Sequence, residues 1–98
     1  MDATPMPASS KHAQELYQLI LRCRTPAEME ALFEDLLTPQ ERHAIAERLQ
    51  IIRGLVQGRT QRELAETLGT SIATVTRGSR VVQFGKVPWQ KLLRIKNP

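Results

Sequence analysis

The sequence predicts an all-α domain of six helices built around a helix-turn-helix at about residues 60–83. Three observations predict it. Apolar residues recur at helical spacing through most of the 98 residues. A threonine-proline start signal appears twice, at Thr25-Pro26 and Thr38-Pro39. The stretch TQRELAETLGTSIATVTRGSRVVQ then reads as two short helices joined by a tight, glycine-containing turn.

Taken in order, residues 1–10, MDATPMPASS, are expected to form a flexible tail, and residues 11–98 a single helical domain. From Lys11, Ala13, Leu16, Tyr17, Ile20 and Leu21 make one apolar face of a first helix ending near Arg22 or Arg24. Thr25, Pro26 and Glu28 supply an N-cap, a first-turn proline and a capping-box glutamate for the second helix. Met29, Leu32, Phe33, Leu36 and Leu37 are its apolar stripe. The same device at Thr38-Pro39-Gln40-Glu41 opens a third helix running to about Gln57. Its main apolar face is expected at Ile45, Leu49, Ile52 and Val56, widened by Ala44, Ile51 and Leu55. That width suits a helix packed on more than one side, including against another subunit. Gly54 inside it costs roughly 1 kcal/mol relative to alanine, which a close helix crossing would explain.

In the fourth helix Thr60 and Glu63 form a capping box, and Leu64, Ala65 and Leu68 face inward. Gly69 supplies the left-handed turn residue. Thr70 or Ser71 caps a fifth helix starting at Ile72, with Ile72 and Val75 making apolar contacts across the corner. Phe84-Gly85-Lys86 breaks the chain before a last short, basic helix carrying Trp89, Leu92, Leu93 and Ile95.

Charge separates the two halves. Residues 1–58 carry six basic and eight acidic side chains, residues 59–98 eight basic and two acidic. The positive field therefore lies on the half that holds the helix-turn-helix, as phosphate binding requires. Double-stranded DNA is the partner this implies. With 4% aromatic residues there is little to stack on single strands. Cys23 is the only cysteine, which excludes an internal disulfide and a cysteine-based zinc site, so no metal is expected. No membrane-spanning run or signal-peptide core is evident, and the expected location is the cytoplasm. An enzyme is not supported: the sequence has no glycine-rich phosphate loop, and His12 and His43 lie on separate helices beside no nucleophile. A helical protein-interaction module is a second alternative.

The runs LLTPQERHAIAERLQIIRGLVQG, QRELAETLG and SIATVTRGS together resemble the Trp repressor family, closely over about half the chain. The resemblance implies a six-helix, intertwined homodimer that binds a DNA operator with L-tryptophan as corepressor and no other cofactor. It places Arg48 and Arg77 on the ligand's carboxylate and ring, with Thr38 and Gly78 in the pocket. The carbonyls of Asp35 and Leu37 would take its amino group. An arginine fork suits a carboxylate, although both arginines could instead be solvated or pair with Glu41, Glu47 or DNA phosphates. Val81 stands where the family has a pocket serine, Ala65 where it has a DNA-contacting lysine, and Ser71 where it has a turn glycine. The segment YQLILRCRTPAEMEALFEDLLTPQER also resembles a divergent branch of the superfamily. A regulator that ignores tryptophan or uses another ligand is therefore the alternative within DNA binding.

On this reading Ser71, Ile72, Ala73 and Thr76 face the major groove from the start of the fifth helix. Ile72 and Ala73 can meet thymine methyls, while Thr74 or Thr76 bonds to base edges or phosphate. Arg62 reads guanine or anchors a phosphate, Gln61 joins helix N-terminal amides on phosphate, and Arg80 adds nonspecific attraction.

Overall fold

Helix boundaries in this chain are set by side chains placed to satisfy the backbone groups that helices leave unpaired. The computed structural model describes residues 10–96, so residues 1–9 of the expected tail lie outside the described residues. Six helices and no strand occur among them: α1 (Lys11–Arg22), α2 (Pro26–Leu36), α3 (Pro39–Val56), α4 (Gln61–Leu68), α5 (Ile72–Phe84) and α6 (Trp89–Leu92). The chain divides into two units, Met1–Pro39 and Gln40–Pro98.

In the first unit Ser10 caps α1, its hydroxyl accepting the Ala13 N–H at 3.2 Å. Thr25 caps α2 by accepting the Glu28 N–H at 3.1 Å, and Pro26 occupies the first turn as expected. The expected capping box is not closed in the usual way. Glu28 accepts the N–H of Arg24, at 2.6 Å, one residue before the cap. No described residue of α1 or α2 is buried in the single chain. Leu16, Tyr17, Leu19, Leu21 and Leu36 are all exposed. An apolar surface of that extent is one a folded protein ordinarily covers.

The second unit holds the packed core. Gly58, at φ 94°, ends α3. The N–H groups of Gly58 and Arg59 return to the carbonyls of Leu55, at 3.0 Å, and Gly54, at 2.9 Å. This is the Schellman arrangement, which needs a residue free to adopt positive φ. The chain repeats it after α4. Gly69 lies at φ 65°, and the N–H groups of Gly69 and Thr70 bond to Glu66 and Ala65. Both halves of the capping box at Thr60 and Glu63 are present, at 3.1 and 2.9 Å. Of the two candidate caps for α5, Ser71 serves, accepting the Thr74 N–H at 3.1 Å.

Ile51 (1% exposed), Leu64 (1%) and Val75 (0%) form the centre of this unit, one from each of α3, α4 and α5. Ala65 joins them, and Leu55 and Leu68 pack against the cluster. Each fully buried aliphatic side chain contributes on the order of 1.5–3 kcal/mol. This changes the expected weighting of α3. Ile51 and Leu55, read as the margin of its apolar face, carry the helix-turn-helix core, while on the expected main face Ile52 is buried and Ile45 is 44% exposed. The reason is positional: Gly54 leaves room on the Ile51 side for another helix.

Gly54 is buried, and a Cβ built on it would collide with Cδ2 of Leu64. The close crossing of α3 and α4 accounts for the glycine. Gly54→Ala should therefore destabilise despite its better helix propensity. Overpacking costs about 1–3 kcal/mol against roughly 1 kcal/mol gained. Denaturant unfolding at fixed protein concentration should show a net loss; a gain in stability would show that the buried Leu64 can move aside.

The Glu63 carboxyl is held below its ordinary value of 4.5, first by the backbone hydrogen bond from Thr60, then by the Thr60 side chain, with a Coulombic contribution from Arg59. A depressed carboxyl stabilises the fold above its unfolded value and loses that contribution as pH falls through the folded one. The stability difference between wild type and Glu63→Gln should be present at neutral pH and vanish well below pH 4.5. A difference independent of pH would contradict the cap.

Candidate nucleic-acid face and ligand groove

The buried residues of α5 are Val75 and Gly78, three apart, so one stripe of the helix is committed to the core and the opposite side points to solvent. Ser71, Ala73, Thr76, Arg77 and Arg80 are exposed there, and Ile72 is 50% exposed. Only one of the two apolar residues expected across the corner is therefore buried: Val75 packs inward, whereas Ile72 stands largely on the outer surface. Arg59 and Arg62, flanking the start of α4, are exposed. The second unit thus presents the first turn of α5 and several guanidiniums outward.

Hydrogen bonds stiffen this face. The Thr76 hydroxyl donates to the Gln61 side-chain carbonyl at 2.8 Å, tying the start of α4 to the middle of α5. Two residues expected to contact DNA independently are thereby one structural element. Thr74 Oγ1 lies 2.9 Å from Ser71 Oγ, within the cap of α5. Arg59 donates to Thr67 at 2.9 Å, holding its guanidinium along α4.

Behind the exposed face lies a groove of about 300 Å³ between α3 and α5. Ala44, Glu47, Arg48 and Ile51 line one wall, Thr74, Arg77, Gly78 and Val81 the other. Both walls repeat the same spacing, i, i+3, i+4 and i+7, which puts each set on one side of its helix. The volume is at the small end of the range for small-molecule sites. Arg48 and Arg77 have no hydrogen-bond or ion-pair partner among the described residues. The pairing of either with Glu41 or Glu47, open in the sequence, is not formed.

Four residues expected around a ligand, Arg48, Arg77, Gly78 and Val81, thus line one groove. Asp35, Leu37 and Thr38 belong to the first unit, and the groove is made wholly of second-unit residues. Thr74, expected at DNA, lines the groove as well. Glu47, Ala44 and Ile51 were not in the expected set, although their helical spacing from Arg48 carried the signal. Gly78 has a structural reason of its own: a Cβ there would lie 2.5 Å from Cγ2 of Ile51. A second, open hollow of about 770 Å³ lies among Leu55, Val56, Val82, Val87 and Trp89. The buried indole N–H of Trp89 has no hydrogen-bond partner.

Fold and site together define a helix-turn-helix protein with a cation-lined groove behind its second reading helix. Residues 11–96 match the Trp repressor protein family, and the chain belongs to that family. It is 36% identical over 80 residues to a "Trp operon repressor homolog" of Photobacterium profundum, covering 81% of this chain and 78% of that one. It is also 31% identical over 87 residues to "Uncharacterized protein YerC" of Bacillus subtilis (strain 168), covering 88% and 84%. Among solved structures it resembles a TrpR-like protein from Eubacterium eligens ATCC 27750, with a TM-score of 0.83, 26% identity, and coverage of 89% and 90%. The chain is a transcription regulator of this family and has its all-helical fold. No helix among the described residues is long and apolar enough to cross a membrane.

Since Gly78 packs on Ile51, Gly78→Ala should lower stability by about 1–3 kcal/mol with no ligand present. Adding Ile51→Ala, which removes Cγ2, should make the double variant less destabilised than the sum of the two single losses. Additive losses would mean that the two positions do not press on each other.

Proposed function

We propose that this chain is a sequence-specific DNA-binding repressor acting as an intertwined homodimer in the cytoplasm, with L-tryptophan as corepressor. The observation that carries the reading is the groove between α3 and α5. It holds two unpaired guanidiniums directly behind the exposed first turn of α5. Arg48 and Arg77 take the ligand's carboxylate through charge-assisted bonds, and the ring lies against Gly78, Ile51 and Val81. Ligand in the groove biases the angle at which α5 leaves α3. It acts only by as much as it prefers one arrangement over the other.

Ile72, Ala73 and Thr76 enter the major groove with Ser71 at its edge, Arg62 reads guanine, and Gln61 and Arg80 hold phosphates. Gln61 does so through its amide nitrogen, its carbonyl being taken by Thr76. The open apolar surfaces of α1 and α2, and the hollow around Trp89, are what a second copy would cover. The family resemblance also assigns Asp35, Leu37 and Thr38 to the ligand. Val81, which offers no hydrogen bond, and the likeness to YerC favour one other reading: the same regulator answering to a different ligand or to none.

L-Tryptophan at a hundredfold excess over its Kd should raise the melting midpoint by on the order of 10 °C. Arg77→Ala should abolish the rise; an unchanged rise in that variant would remove Arg77 from the site. Arg62→Ala should weaken binding to a specific operator far more than to unrelated duplex. Equal losses on both would leave it a phosphate contact.

A further inference from the structure

The groove contains one acid, and nothing assigns it a task. Glu47 stands beside Arg48 on the α3 wall, and its side chain is only 23% exposed. Its one ion-pair neighbour among the described residues is His43, with Nε2 at 3.9 Å. That is beyond hydrogen-bond reach, and His43 is 79% exposed. A carboxylate on a groove wall with no donor within hydrogen-bond reach can take a charge-assisted bond from a ligand cation.

The rest of the lining narrows which ligand group that is. Arg48 and Arg77 provide donors and no acceptor. Ala44, Ile51, Gly78 and Val81 offer no polar side-chain atom. The Thr74 hydroxyl is engaged with Ser71 at 2.9 Å. Glu47 is therefore the one anionic acceptor among the lining side chains, set one residue from a guanidinium. Two cations and one anion in a hollow of about 300 Å³ complement a small zwitterion that carries a carboxylate and an ammonium close together.

Resting on the reading that this groove takes an amino acid, we propose that the Glu47 carboxylate, in place of the Asp35 and Leu37 carbonyls that the family resemblance implies, receives the ligand's ammonium group and sets a preference for α-amino acids over their desamino analogues. The ammonium gains a charge-assisted bond where Val81 supplies none. A desamino ligand leaves Glu47 as it was and brings a second carboxylate near it.

Calorimetric titration of the full chain with L-tryptophan and with indole-3-propionate tests this, since the two share indole and carboxylate and differ in the ammonium. Wild type should bind L-tryptophan more tightly by about tenfold or more. Glu47→Gln, close in shape and helix propensity, should bring the two affinities within about threefold of each other. It should do so by weakening L-tryptophan while leaving indole-3-propionate bound, which also shows that the groove is intact. Glu47→Asp should keep part of the preference. A preference that survives in Glu47→Gln, or none in wild type, overturns the assignment of Glu47 and leaves the ligand reading standing. Binding of neither compound to wild type overturns both.

Discussion

The structure of the second unit depends on how closely α3 lets the helix-turn-helix approach. Two glycines and three buried aliphatic side chains make that contact. Gly54 receives Leu64 from α4, and Gly78 on α5 receives Ile51 from α3. With Val75 these side chains close the core. A Cβ at either glycine would push the helices apart, and a protein interior has little free volume to absorb the shift. This contact sets where α5 lies, and the position of α5 decides everything its two sides can do.

Because α5 is held along its Val75–Gly78 stripe, its remaining surface is divided between two tasks. The first turn and the exposed threonine and arginine side chains point outward, suited to a duplex. The stripe of Thr74, Arg77, Gly78 and Val81 faces α3 and forms a wall of the groove. Gly78 belongs to both the core contact and the groove. A ligand lodged beside it therefore presses on the joint that orients the reading helix. Corepression as proposed would then need no pathway through distant residues.

Much of this was legible in the sequence because it is local. The caps at Thr25, Thr60 and Ser71, and the left-handed glycine at 69, depend on residues within about five positions of one another. Arg48, Arg77, Gly78 and Val81 came from likeness to a family, and the separations of Val81 from Gly78 by three residues and from Arg77 by four agree with one groove wall. What the sequence left open is long-range. Helical periodicity made α3 apolar over a wide arc, but only the partners across Gly54 decide that Ile51 and Leu55 outrank Ile45. The Thr76–Gln61 bond spans fifteen residues and has no periodic signature. Glu47 looked like one more charge on a solvated helix until the opposite wall was in place. Glu28, bonded to Arg24 in place of the cap residue, shows that even a local motif fixes residue types more firmly than partners.

In the proposed function an exposed, cationic α5 face meets duplex phosphates and bases, and ligand behind it tunes the fit. Equilibrium binding of the full chain to duplex DNA across a salt series, with and without L-tryptophan, tests this most directly. Log affinity should fall linearly and steeply with log salt, and tryptophan should strengthen binding at every salt concentration. An affinity insensitive to both would contradict it.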